Sequence, residues 1–287
     1  VWGVARERHL AGIRPSPRIV VDAARLALRY RLLGLPKAPP ATQARVRGRL
    51  HSRARDRAAI SHHYDLSNEF YELILDDHMA YSSAYWTSDD PYYTLADAQA
   101  DKLDRVCRKV GLDTRPGQRF LDIGCGWGSL SLYAAEHFDA EVVGVTISRE
   151  QKAFIDERIA QRGLADRVEI RVQDYREIPD RPFDAVASLE MGEHVGEQNY
   201  ATYAQVLHDK VVPGGMVCVQ QMSRPEGKHP GGGPFIESFI APDMYMRPVE
   251  RTMQYLTDAG LRVDDVEEMA EHYVRTVDGW YDTFEKN

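Results

Sequence analysis

The sequence predicts an α/β fold, a mostly parallel sheet with helices on both faces, preceded by a helical N-terminal region. Two observations carry this. Short strand-like runs at 119–123, 141–145, 168–172, 183–188 and 216–221 alternate with amphipathic, helix-like stretches, the pattern of strands joined by crossover helices. The first run also enters a glycine turn, Phe-Leu-Asp-Ile-Gly-Cys-Gly-Trp-Gly at 120–128, and a helix-like stretch, 129–138, leaves it. With 287 residues the chain can bury one α/β core plus an appendage. Three parts are expected: a basic helical arm (1–58), a helical cap (59–110) and an α/β domain (111–287) holding a long insert (224–248).

Charge separates the arm from the body. Residues 1–60 carry 14 Lys/Arg against 3 Asp/Glu, and the remainder 22 against 41. A basic arm on an acidic body predicts an anionic partner, nucleic acid or an anionic lipid surface; pairing with acidic protein surface is the alternative. Within the arm, 18–35 reads as an amphipathic helix with Ile19, Val20, Leu26 and Tyr30 on one face. Pro36 ends it, and arginines crowd 45–57. Such a segment suits a membrane interface or the docking of another subunit. No apolar run reaches the length of a transmembrane helix, and no signal-peptide pattern is visible. Cys107, Cys125 and Cys218 have no metal or disulfide spacing, which fits a reducing cytoplasm, and no metal is expected.

The glycine turn is the centre of the chemistry. Glycine lets backbone lie against a ligand and tolerates positive φ, and the following helix points free N–H groups at the turn. A dinucleotide fingerprint would read Gly-x-Gly-x-x-Gly. Here Gly124, Gly126 and Gly128 are spaced Gly-x-Gly-x-Gly, with Asp122 two residues ahead. This resembles motif I of the class I S-adenosylmethionine (SAM) methyltransferases, a Rossmann-like fold of seven strands. The turn alone leaves NAD or FAD and a plain structural turn as alternatives.

The remaining elements follow in order. Residues 59–86 are dense in aromatic and small polar side chains, suiting a packed aromatic edge or a cap over the ligand. Residues 95–110 read as a helix. After the second strand, Ser148 with Gln151 reads as a capping box for a helix to Arg162, ended by Gly163. Beyond the fourth strand lies Ser-Leu-Glu-Met-Gly-Glu-His-Val-Gly, 188–196, where ligands of open α/β sheets sit. Residues 199–210 read as a helix. The Gly/Pro-rich stretch 224–248 is too long for an ordinary connection and suits a lid or substrate wall. Residues 249–259 read as a helix and 261–269 as a further strand.

Several of these stretches resemble the cyclopropane fatty acid synthases, including the mycolic acid cyclopropane synthases. They are His-Tyr-Asp-Leu-x-Asn-x-Phe-Tyr from 63, Met-x-Tyr-Ser-x-Ala-Tyr-Trp from 79, Thr-Ile-Ser-x-x-Gln from 146, Glu-His-Val-Gly from 193, and His-Tyr-x-x-Thr-x-x-x-Trp-x-x-x-Phe from 272. The resemblance runs from about 59 to 284, with its motifs in order. The basic arm finds no counterpart in it. It implies that SAM meets Tyr81 and Ser82, the glycine turn, Thr146 and Gln151, and the loop of Asp174 and Tyr175. For Gln151, cap and ligand compete for one side chain. Phe235, Ile236, Phe239, Ile240 and Met246 resemble the family's acyl-binding insert.

The implied reaction methylates a cis double bond in the acyl chain of a phospholipid. Water must be kept from the resulting carbocation, a task suited to the aromatic faces of Tyr81, Tyr85, Trp86 and Tyr273. A base then removes a proton, giving a cyclopropane or, after a hydride shift, a methylene or methyl branch. In the family a bicarbonate ion is the base, and Glu193 and Tyr273 match its cage. Ser83 replaces the cage Cys, Gln220 the His and Met222 the Ile, which puts the bicarbonate site in doubt. Glu190 is the expected side-chain base in its place, with a supporting role beside the SAM loops as the alternative. His194 is a further catalytic candidate or a hydrogen-bonded loop residue. A lipid substrate selects an anionic membrane surface, not nucleic acid, as the arm's partner and places the protein on the cytoplasmic face of the membrane; a partner subunit is the other reading, and an oligomer is expected. Rival functions are a SAM methyltransferase acting on a small amine or phenol, and a non-catalytic SAM-binding subunit.

Overall fold

A computed structural model describes residues 16–30, 48, 50–52, 55 and 68–287. The His-Tyr-Asp-Leu motif and most of the arginine cluster lie outside the described residues. The chain divides into two compact units, Val1–Gln43 and Ala44–Asn287. In the first, helix α1 spans Pro17–Arg29, with Ser16 as N-cap and proline in its first turn. Ile19, Val20, Leu26, Leu28 and Tyr30 are all exposed on it.

The second unit is built on a five-stranded parallel sheet in the order β3-β2-β1-β4-β5. The strands are β1 (Arg119–Ile123), β2 (Glu141–Thr146), β3 (Val168–Val172), β4 (Phe183–Leu189) and β5 (Val211–Gln220). The helices are α2 (Asn68–Glu72), α3 (Leu95–Lys109), α4 (Ser129–Phe138), α5 (Arg149–Gln161), α6 (Gly192–Val195), α7 (Glu197–Lys210), α8 (Val249–Asp258) and α9 (Ala270–Lys286). Side chains alternate across each strand, so the sheet has two cores. Phe120, Val142, Ile170 and Ala185 pack under α3, α4 and α5. Leu121, Ile123, Val145 and Val186 pack against Tyr200, Tyr203 and Leu207 of α7. Strand order reverses between β1 and β4, and the crevice beyond their carboxyl ends is where such sheets bind ligands.

The sheet corrects one expectation. Among the described residues it has five strands, not seven, and 261–269 joins no ladder. The apolar alternation of Leu261 and Val263 gives way to Asp264, Asp265, Glu267 and Glu268. Two of these acids are drawn to the cations of α3 instead: Lys109 Nζ donates to Asp265 at 2.5 Å, and Arg105 Nη2 to Glu267 at 2.8 Å. β5 also starts earlier than expected, at Val211, with an irregular register opposite Phe183–Ala185.

One arginine of the cluster is described away from α1, and its place is informative. Arg55 is ion-paired with Asp243 of the insert, Nε to Oδ2 at 2.6 Å, so it serves its own protein rather than an outside anion. The carbonyls of Leu50 and His51 accept from Gln198 and Asn199 of α7.

Candidate functional site

Two clefts meet at the glycine turn. The larger, about 750 Å³ including its open mouth, is lined by Gly124, Gly126, Thr146, Gln151, Asp174, Tyr175, Glu190 and His194, among others. The smaller, about 480 Å³, is lined by Met79, Tyr81, Ser82, Asp122, Trp127 and Glu190 and shares Gly124 and Gly126. They form one bent site, with the glycines and Glu190 at the bend.

The turn is built by backbone need. Gly124, Gly126 and Gly128 all have positive φ. A Cβ on Gly126 would meet nothing within 4 Å and would stand in the cleft. A Cβ on Gly128 would lie 2.9 Å from Ile155 of α5, and Gly128 lines neither cleft. Gly128 was expected to admit ligand; its observed place is the close approach of α4 to α5. Trp127 is pinned by Asn68, its indole N–H donating to Oδ1 at 2.9 Å, and packs at a tilt against Tyr71, ring centres 4.4 Å apart. The aromatic region ahead of the sheet therefore packs on the turn while Met79, Tyr81 and Ser82 wall the smaller cleft.

Gln151 resolves its competition between cap and ligand. The Ser148 hydroxyl caps α5, accepting from the Gln151 N–H at 3.1 Å. The Gln151 side chain does not return to Ser148; its Oε1 accepts from Thr146 Oγ1 at 2.7 Å. Its Nε2 is buried without a hydrogen-bond partner and belongs to a cleft-lining residue. The expected reciprocal box is thus half present, because Thr146 has captured the glutamine. Asp174 caps the short turn Tyr175–Glu177 and holds Arg176, Nη2 to Oδ2 at 2.6 Å.

At the bend, acids gather. Glu190 ends β4 in left-handed backbone, φ 49. The register that sets Leu189 beside Gln220 brings the two side chains together: Gln220 Nε2 donates to Glu190 Oε1 at 3.0 Å and to the Ser83 carbonyl at 3.3 Å. Glu190 Oε2 is buried and faces the Glu193 carboxyl. Glu193, fully buried on α6, has its carboxyl pushed well above the ordinary range by burial and then by the Glu190 charge and contact with its carboxyl. Burial, then Glu190, also raises the Tyr81 and Tyr273 hydroxyls. Arg247, buried on the Tyr200 ring at 3.6 Å, donates to the Gly192 carbonyl and so ties the insert to α6.

Other expected residues lie elsewhere. Tyr85 stacks on His272 at 4.4 Å and donates to Glu267; the Trp86 indole donates to Thr276. Both pack against α9 and line neither cleft: Tyr85 through its ring on His272 and its hydroxyl on Glu267 just ahead of the helix, Trp86 through Thr276. His194 lines the larger cleft only, apart from Tyr81 and Ser82. Phe235, Ile236, Phe239, Ile240 and Met246 line neither cleft. Ile236–Ile240 forms one π-helical turn, Phe235 and Phe239 pair at 5.5 Å, and Ile236, Ile240 and Met246 pack with Met222 in a small cluster. Among the described residues no group of His, Cys, Asp and Glu could hold a metal ion.

Two buried residues escaped the sequence reading. Gln99 donates to the carbonyls of Ala80 and Ser82, and Lys102 Nζ donates to Ser82 Oγ at 2.7 Å. Their signal is positional: on α3 they fall among Leu95, Ala98, Leu103 and Val106, polar side chains on an apolar face.

This bent site at the switch point of a parallel sheet, with an open glycine cradle and an unpartnered Gln151 amide, fits SAM. The fold is that of a class I SAM methyltransferase. The structure superposes on the cyclopropane synthase MmaA2 from Mycobacterium tuberculosis with TM-score 0.73 and 26% identity, over 80% of this chain and 83% of that one. It matches the mycolic acid cyclopropane synthase CmaA1, solved with SAH and CTAB, with TM-score 0.72 and 29% identity, over 80% and 84%. Residues 51–287 match the family Mycolic acid cyclopropane synthetase, and the chain belongs to that family. A probable fatty acid methyltransferase of Pseudomonas putida is 41% identical over 83% of this chain and 60% of its own length. The cyclopropane-fatty-acyl-phospholipid synthase of Escherichia coli K12 is 38% identical over 77% and 55%. The chain thus spans less than two thirds of the length of the last two relatives.

Proposed function

We propose that the protein uses SAM to alkylate a cis double bond in the acyl chain of a membrane phospholipid. Family membership and the names of the relatives support the reaction class. The observation that carries the mechanism is the Glu190 carboxyl at the bend, one oxygen fixed by Gln220 and the other buried beside the Glu193 carboxyl.

When bound, SAM supplies an electrophilic methyl group to the alkene. The residues of this chain then manage the cation left on the acyl chain. Tyr81 and Tyr273 present rings and buried hydroxyls, which tolerate a cation without capturing it. Glu190 Oε2 takes the proton. Removed from the new methyl carbon, it leaves the electron pair that closes a cyclopropane; removed after a hydride shift, it leaves an exo-methylene, the precursor of a methyl branch. Burial and the Glu190 charge disfavour the charged form of Glu193, which leaves Glu190 the better base, and the buried pair makes the site poor in water. Gln220 stands where the family's bicarbonate cage has a titratable imidazole, and Glu190 replaces the bound anion. The insert residues Phe235, Ile236, Phe239, Ile240 and Met246 form the apolar wall for the acyl chain.

The basic N-terminal arm, with the exposed apolar residues of α1, binds the anionic inner face of the membrane where the substrate lies. No described helix is long and apolar enough to cross a membrane.

The test is mass spectrometry of oleoyl-phospholipid vesicles incubated with SAM and the protein. The expected result is a gain of one CH2 on the acyl chain, with fragmentation separating ring from branch. Vesicles unchanged while SAM binds would overturn the proposal. Co-sedimentation with phosphatidylglycerol vesicles, lost on removing residues 1–43, tests the arm; loss of an oligomer on light scattering without loss of sedimentation would assign it to subunit docking.

A further inference from the structure

Lys102 is 1% exposed, and its ammonium has one hydrogen-bond partner among the described residues, Ser82 Oγ at 2.7 Å. Burying a lysine is costly unless the charge is used. A purely structural lysine would be expected to pair with an acid. Here Asp76, Asp122 and Glu190 surround the ammonium as charges, yet none accepts a hydrogen bond from it. Asp76 accepts from the His78 and Ala80 N–H groups, and Asp122 accepts from Ser131 Oγ at 2.7 Å.

An ammonium has donors only, so Ser82 Oγ must accept from it. The hydroxyl's own proton is then left over, and Ser82 makes no other side-chain hydrogen bond among the described residues. Gln99 Nε2 fixes the same residue through its carbonyl at 2.9 Å. Ser82 lines the smaller cleft with Asp122, Gly124 and Gly126, on the opposite side of the bend from Thr146 and Gln151. Ser82 therefore offers that end of the site an O–H donor polarised by a cation directly behind it, which suits an anionic ligand group. Asp122 on the same cleft suits a cationic one. A cleft offering both matches an amino-acid zwitterion.

We propose that Lys102 is a positioning residue that commits Ser82 to donate to the carboxylate of the amino-acid end of SAM. This rests on the reading that the clefts hold SAM. Lys102 does not touch the ligand; it sets the polarity of the residue that does.

Two probes separate this role from a structural one. S-adenosylhomocysteine carries the amino-acid end; 5′-methylthioadenosine lacks it. Titration calorimetry on the full chain should show Lys102→Met, close in shape and without charge, losing about tenfold to hundredfold in affinity for S-adenosylhomocysteine. Affinity for 5′-methylthioadenosine should stay within twofold. Equal losses for both ligands, or no loss for either, would overturn the proposal. Ser82→Ala should give the same selective loss and decides the matter if Lys102→Met does not fold; a Ser82→Ala protein that keeps its preference for S-adenosylhomocysteine refutes it. If the unaltered protein binds neither probe, the SAM reading itself has failed, which is a different result.

Discussion

The cofactor end of the site and the proposed acyl end are assembled in different ways. The larger cleft is lined by residues just past the carboxyl ends of β1, β2, β3 and β4, so the sheet itself sets their spacing. The proposed acyl end draws Ser83, Glu190, Glu193, Gln220 and Tyr273 from separate segments, and of these Glu190 lines a cleft; Gln220 ties Glu190 to the Ser83 carbonyl. A site held by the sheet should lose affinity in small steps when one contact is removed. A site held by single bonds around a reacting group should lose turnover in large ones.

The largest effect should come at the bend. Glu190→Gln should cut alkylation at least about a hundredfold, the scale of a lost general base, while S-adenosylhomocysteine affinity changes only a few-fold. Rates from the vesicle assay and calorimetry on the same sample check both halves; an unchanged rate refutes Glu190 as base. At the cofactor end, Gln151→Leu should weaken S-adenosylhomocysteine about tenfold and leave the KM for vesicles unchanged. A collapse of the fold instead would show that the bond to Thr146, and not the free amide, is what matters. In the insert, Phe239→Ala should raise the KM for oleoyl vesicles several-fold without touching cofactor affinity, and an unaltered KM would remove the insert from the acyl wall.

A smaller effect concerns pH. Burial pushes Asp122 up to about 6 from an ordinary 3.8, against the pull of Ser131 and Lys102. The folded state then holds a proton that the unfolded state has released. This group's contribution is greatest below the ordinary value and is lost as pH rises through about 6, a change of about 3 kcal/mol. Asp122→Asn should flatten the fall in melting temperature between pH 4 and 6. An identical slope in both proteins would show that Asp122 is not the titrating group.

The same contrast explains what could be read from the chain. The glycine turn, Thr146–Gln151 and Asp174–Tyr175 are contiguous motifs on strand ends, so their residues and their place were both legible. That Gln151 leaves the cap for Thr146 was not, because a choice between the Ser148 backbone N–H and the Thr146 hydroxyl has no sequence signal. Tyr85 and Trp86 were read as walls of the cavity from their aromatic character, and their polar ends commit them instead to Glu267 and to Thr276 of α9. Residues 261–269 had strand-like alternation, but long-range ion pairs to α3 won. Lys102 was hidden because a lysine ordinarily marks an exposed face; only its place among the buried positions of α3 betrays it.

The measurement that bears most directly on the account is alkylation of oleoyl vesicles in buffer stripped of carbon dioxide, compared with the same buffer after bicarbonate is added. With Glu190 as the base, the two rates should be equal. A rate that falls on stripping and returns with bicarbonate would contradict the account and restore a bound anion to the site.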